Sequence, residues 1–352
     1  MKKQRCVFWG SERTALNFFL LFFVLCTIDS RLMATTYGWT DVNGQSSDAT
    51  KVAYYNTSPL ILSAGDSVVG FADLAGGFHA TDSVTFTNIM APIAKDIYLR
   101  SETTINFDGD LTLSTTSIAA GGSFTLNASD NTLFIAKDTT LPAQTITLSS
   151  NLVIDGLGHT TTFNGSTIFA LGSRTLTLKN MVIKGLTGSS QFSGSGTLLL
   201  QNCIIDLASG ATFTYSNANL TIADDVFVQG GGTLQFGGTG ELTINAFSTL
   251  AVDQDSIFDY ACATKSLLVM SAASSTIHIN GGTLKAQGDE GLQLSNGRLF
   301  LEGKCTLDNG TNAVMAKGIQ LGNGATDVNV KVLPGTRAEV NGCVWHNTYV
   351  AV

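Results

Sequence analysis

The sequence is poor in charge, proline, histidine and long apolar runs, and each shortage closes off a class of protein. Only 13% of its 352 residues are charged and four are proline, against 37 glycines. Ser, Thr, Asn and Gly fill the spaces between apolar residues, a mixture that favours many short strands with tight turns over helices. Hydrophobic residues still make up 44% of the chain, which excludes a disordered composition, and the length suffices for a sizeable buried core. The four histidines, His79, His159, His278 and His346, are scattered singly along the chain, so no metal-ligand spacing arises; His159, within GLGHT, reads as a turn residue. No Gly-x-Ser-x-Gly elbow, phosphate-binding loop or dinucleotide fingerprint stands in the sequence, and no cofactor or metal is expected. Aromatics are 9% of residues, which leaves few exposed platforms once a core is filled.

The N-terminus has a different character. Lys2, Lys3, Arg5 and Arg13 precede the apolar stretch ALNFFLLFFVLC, Ala15 to Cys26. This stretch is short for a membrane span and suits the core of an export signal. Ser30 and Ala34 are small residues placed for cleavage, although Ile28 and Leu32 occupy the −3 positions. Residues 1–34 are read as a signal peptide, with an uncleaved N-terminal anchor as the alternative; Leu25 before Cys26 argues against a lipoprotein. Past this segment no apolar run is long enough for a membrane helix, so membrane contact is expected only through it. Its removal takes five Lys/Arg and two Asp/Glu from 19 and 27, leaving 14 and 25 and a net charge of −11. Such a surface repels nucleic acid and anionic lipid. Cys203, Cys262, Cys305 and Cys343 remain, far apart and without CxxC spacing. They read as buried single thiols, with some pairing open in an exported protein.

What the chain does contain is a repeat. Leu176, Leu198, Leu220 and Leu242 are evenly spaced, each opening a phrase of alternating apolar residues: TLTLKN, TLLLQN, NLTIAD and ELTINA. Ile183, Ile205 and Phe227 follow at one constant offset from the first three leucines, and Phe192, Phe213, Phe236 and Phe258 at a second, nearly constant one. Each coil thus holds three short apolar strands, separated by turn-prone glycines and by an Asn or Asp corner at Asn180, Asn202 and Asp224. Period-2 alternation excludes a helical repeat, and the leucine-rich-repeat consensus with its internal Asn is absent. A parallel β-helix accounts for the pattern: Leu stacks on Leu and Phe on Phe about 4.8 Å apart, with Asn and Asp accepting left-handed backbone at the bends and bonding along the stack. The steps from Leu242 to Leu267 and from Leu267 to Leu292 are longer than those before them, so these coils are expected to carry outward loops, with DQDSIFDYACATKS the best place for a partner-binding bulge. Residues 35–95, with Tyr37, Trp39, Tyr54 and Tyr55, are read as an N-terminal cap and 96–352 as the stack; Trp345 and Tyr349 either shield the last coil or leave it for a partner.

The phrases NLVIDGLGHTTTF (151–163) and LTLKNMVIKG resemble coils of right-handed parallel β-helix proteins of the pectate-lyase-like superfamily, over about residues 100–340. The resemblance implies an all-β, right-handed parallel β-helix, or solenoid, with three short strands per coil. That group holds polysaccharide lyases and hydrolases, phage tailspikes and adhesin stalks. Asp224-Asp225 is similar to the paired aspartates of polygalacturonase-type hydrolases, but the following coils, GGTGELTINAF and DQDSIFDYACATK, lack the His and Arg that go with them. A lyase needs clustered Asp for calcium and a facing Arg; Arg174, Arg298 and Arg337 are scattered, and Asp108-Gly109-Asp110 reads as a turn. GGTGELTIN lacks the Asp of a calcium-binding nonapeptide and reads as a glycine turn. The expected function is therefore structural or adhesive, exported to the cell surface or secreted, with a glycan or protein ligand. The alternative is a polysaccharide lyase or glycoside hydrolase using Asp224 and Asp225. No C-terminal membrane barrel of the autotransporter kind is legible, so a self-exporting adhesin is not expected if the chain is whole.

Overall fold

The computed structural model describes residues 36–38, 51–52, 60–63, 66–69, 77–89 and 92–347, except 189–190, 217–218 and 311–316. The expected signal peptide, Trp39, Tyr54, Tyr55 and Tyr349 lie outside these residues. The chain is an all-β solenoid of about 12 turns, about 22 residues per turn, with no helix among the described residues. Its strand pairings are parallel and join a strand to its counterpart one coil away.

Three faces recur in each coil. The first carries the leucine column: Leu152, Leu176, Leu198, Leu220, Leu242 and Leu268 are successive register partners. Leu268, not Leu267, holds this position, so the longer step ends one place later than expected and Leu267 only packs against the core from its edge. A second inward row on the same face runs Leu111, Leu133, Ile154, Leu178, Leu200, Ile222, Ile244 and Met270. These side chains are buried, and at about 25 cal/mol per Å² their burial is the main stabilising term.

The third face corrects the expectation of one phenylalanine column. Phe192 pairs with Phe169, their rings stacked at 6.1 Å. Beyond it two inward rows run side by side: Phe213, Leu234, Phe258 and Leu284, and Tyr215, Phe236, Tyr260 and Ala286. Phe213 and Phe236 therefore belong to different rows. The tyrosines fit at core positions because their hydroxyls reach backbone: Tyr215 Oη donates to the Asn219 carbonyl at 3.1 Å, and Tyr260 bonds the Thr264 carbonyl while accepting from Leu267 N. The same strand, Ile257–Tyr260, runs through the phrase expected to bulge; Phe258, Tyr260 and Cys262 are fully buried, so DQDSIFDYACATKS is half core.

Pairing extends upstream of residue 96. Leu60–Leu62 pairs with Gly77–Ala80, and Ser67–Val69 with Val84–Thr87, so the strands inside the expected cap are continuous with the stack. Inward residues there, Leu62 and Val68, are fully buried, whereas Val330, Val332 and Val340, inward in register on the last coil, are 41%, 56% and 52% exposed. Trp345 pairs with Gln320 and is half-buried. Each histidine lies against a carboxylate one coil away: His79 on Asp96 at 3.0 Å, His159 on Asp138 at 3.6 Å, His278 on Glu302 at 2.9 Å and His346 on Asp327 at 3.4 Å.

The alternation sets a sharp test. Leu198 is buried in the column, while its neighbour Leu199 points outward between Thr177 and Thr221. Leu198→Ala is expected to lower unfolding free energy by about 3 kcal/mol and Leu199→Ala by less than about 1 kcal/mol, read from urea denaturation.

Candidate functional site

The corner between the first and second faces is built from single left-handed residues. Asn180, Asn202 and Asp224 have φ of 50°, 50° and 54°, and the row continues to Leu157 at 50° and Phe247 at 60°. One such residue per coil turns the chain without breaking pairing, so Thr175–Lys184, Thr197–Asp206 and Asn219–Gln229 each run through the bend as one strand. The side chains form a row: Asn202 Nδ2 donates to Asn180 Oδ1 at 2.9 Å, and Asn180 Nδ2 donates to both carboxylate oxygens of Asp155 at 3.1 Å. Asp155, which sequence reading did not single out, anchors the row and also accepts from Leu157 N, with Lys179 Nζ 3.6 Å away. Asp224 stands at the other end; it has no hydrogen to pass along and accepts from Gln201 Nε2 at 2.9 Å.

At Asp224-Asp225 the regular corner gains a residue. Gln201 pairs with Ala223, yet Cys203 pairs with Val226, a β-bulge. The consequence corrects the expected Ile183–Ile205–Phe227 column. Val228 takes the inward place beside Ile205, and Phe227 turns outward, 36% exposed, because a one-residue slip moves a side chain to the opposite face.

Phe227 thereby joins an outward row on the second face: Val182, Ile204, Phe227, Ala251, His278, Phe300 and Lys331 are successive register partners. Against outward rows rich in Thr, Ser and Asn this row is mainly apolar over about 24 Å from Val182 to Phe300 at the strand spacing, interrupted midway where Ala251 is only 2% exposed and His278 is bound to Glu302 at 2.9 Å. His278 meets Phe300 edge-on at 6.2 Å, and Lys331 Nζ lies 5.7 Å from the Phe300 ring centre. At the Val182 end the stripe borders a trough of about 380 Å³ lined by Leu157, Asn180, Val182, Asn202, Ile204 and Phe227. Phe247, 86% exposed, stands at the neighbouring corner with its N–H held by Ser274 Oγ at 3.0 Å. A bulky residue in left-handed backbone is uncommon and costs strain, so Leu157 and Phe247 mark this corner as specialised.

Asp224 and Asp225 diverge in role. Asp224 is a corner residue engaged with Gln201, and Asp225 faces outward beside Thr249, exposed, with no hydrogen bond or ion pair from its side chain among the described residues. Arg174 and Arg337 lie at other coils; Arg298 shares the outward row of Asp225 three coils on. Among the described residues no group of three or more His, Cys, Asp or Glu is placed to hold a metal ion.

A second polar row crosses the third face. Thr214 Oγ1 donates to Gln235 Oε1 at 3.0 Å, and Gln235 Nε2 donates to Asp259 Oδ2 at 2.9 Å. Asp259 is 3% exposed and its Oδ1 has no partner among the described residues. Burial pushes its carboxyl above the ordinary range, an effect opposed by Gln235 and Lys285 and aided by Asp308. Among the described residues Cys203, Cys262, Cys305 and Cys343 are free thiols; burial raises Cys203 and Cys262 to about 11 and also raises Cys305, which keeps these three protonated and inert. The interior offers an apolar void of about 50 Å³ lined by residues such as Phe107, Leu133 and Phe169, too small for a sugar ring.

The chain is thus a parallel β-solenoid protein with a polar-edged apolar stripe on one face. No known family's sequence profile matches it, and no match is found among curated proteins or solved structures.

Two outcomes follow from the polar rows. Asn180→Ala, combining left-handed strain with lost row bonds, is expected to cost about 2 kcal/mol, and Asn180→Gly, which removes the strain, about half of that. Asp259 holds its proton to higher pH in the folded chain than in the unfolded chain. Its contribution is therefore fully present below the unfolded value of about 3.9 and is lost as pH rises through the folded value. The stability of Asp259→Asn relative to the native chain should accordingly increase from pH 4 to pH 7 in parallel urea titrations.

Proposed function

We propose that this is an exported β-solenoid, secreted or held at the cell surface, whose role is structural or adhesive and whose second face binds the partner. The observation that carries the reading is the outward stripe from Val182 to Phe300. Solvent-facing positions of a sheet have no packing reason to be apolar, and apolar side chains gathered outward in one row, here Val182, Ile204 and Phe227 with Phe300 beyond Ala251 and His278, mark interaction sites. The bulge that turns Phe227 outward supports the same reading, since bulges re-aim side chains at functional places. Export rests on the basic-then-apolar N-terminal segment. Membership of the pectate-lyase-like superfamily, with its right-handed winding, is supported by the three-faced coil of about 22 residues and by the amide row at its corner.

The polysaccharide lyase or hydrolase reading with Asp224 and Asp225 is the second one. Its support is the bulge that exposes two successive carboxylates. Against it, the outward neighbours of Asp225 in register and along the strand are Thr249 and Phe227, which supply neither acid nor base.

The test is retention of the purified chain on arrays of immobilised glycans and surface proteins. Phe227→Ser and Phe247→Ser are expected to lower retention at least about tenfold without changing the melting temperature. Turnover of a polysaccharide that is abolished by Asp225→Asn would replace this reading with the enzymatic one.

A further inference from the structure

We infer that the partner of the second face is a second copy of this chain, docked by a half-turn about an axis parallel to the strands between Thr249 and Thr276. The inference rests on the reading that this face is a binding face, and it is carried by two unpaired charges. Asp225 and Arg298 are exposed, stand in one outward row through Thr249 and Thr276, and have no ion-pair partner among the described residues of their own chain. Three coil steps, about 14 Å, keep them from meeting each other. The half-turn reverses the coil order while keeping each row opposite itself. Asp225 then faces the partner's Arg298, and Arg298 faces the partner's Asp225. One operation satisfies both charges twice, the self-complementarity that a two-fold interface demands.

The adjoining rows agree with this placement. In the stripe, Phe227 falls opposite the partner's Phe300, and Ala251, itself only 2% exposed, opposite the partner's His278. Gln229 falls opposite the partner's Glu302, and no like charges oppose in these three rows. Exposed Phe247 belongs to the corner at 245–248, which comes to lie opposite the partner's corner at 271–275, where every residue is Ser or Ala. Six coils overlap, about 29 Å by about 17 Å, or roughly 500 Å² per copy. That lies at the low end for specific interfaces and implies a weak, reversible dimer whose specificity comes from the paired charges.

The experiment is sedimentation equilibrium of the full chain from low to high micromolar concentration, with circular dichroism and melting of every variant. The expected result is a monomer–dimer equilibrium that Asp225→Arg and Arg298→Asp each weaken at least about tenfold, and that the D225R/R298D double exchange restores to within about threefold. Asp225→Asn and Arg298→Gln, which demand less of the fold, should each give an intermediate loss. A monomer at all concentrations, a dimer indifferent to both exchanges, or a double variant no better than the singles would overturn the proposal. The array measurement with Phe227→Ser separates the two failures. Monomeric protein that still shows Phe227-dependent retention removes the dimer and keeps the binding face, and loss of both removes the binding face as well.

Discussion

Parallel register between neighbouring coils is the constraint on which the rest of this molecule depends. Side chains along a strand alternate between core and solvent, so each residue's fate is set by its partner one coil away. The leucine column from Leu152 to Leu268 exists because five successive pairings keep the same residue type in step. The stripe on the second face exists for the opposite reason. One extra residue at Asp224-Asp225 shifts the count and sends Phe227 out while Val228 goes in. Core and outward stripe are two outcomes of a single counting rule.

Polar groups obey a related rule. An amide in a stacked row both donates and accepts, so a row needs an end that only accepts. Asn202 and Asn180 run to Asp155, and Thr214 and Gln235 run to Asp259. Asp155 is well served, with donors from Asn180 and Leu157 and a nearby lysine. Asp259 keeps one oxygen without a donor among the described residues, and burial raises its carboxyl accordingly. The first row ties together the corner beside the stripe.

The surface stripe, the strained corner residues Leu157 and Phe247, and Asp225 and Arg298, which have no ion-pair partner among the described residues, all lie on or beside the second face. A solenoid makes such clustering easy: residues one coil apart in sequence become neighbours about 4.8 Å apart in space. The row through Val182, Ile204 and Phe227 departs in this way from the Thr, Ser and Asn background.

The sequence by itself determined the class of fold and the leucine column, because an even coil period with strict alternation has few ways to bury its apolar half. It also located the corners, since Asn at Asn180 and Asn202 is among the few residues that accept left-handed backbone. What it left undecided was every position where the count changes. Phe227 stands at the same offset from Leu220 as its counterparts do from their own leucines, and only the paired strands reveal the bulge that turns it over. Phe213 and Phe236 sit at nearly equal spacing yet occupy different rows, and Leu268 displaces Leu267 by one. Tyr215 and Tyr260 read as ordinary polar aromatics until their hydroxyls are seen to reach backbone. The joining of Asp225 and Arg298 in one row, though they lie far apart in the chain, follows from summed coil lengths of unequal size. Local pattern is written residue by residue, whereas register is a running total, and only the folded stack carries it out.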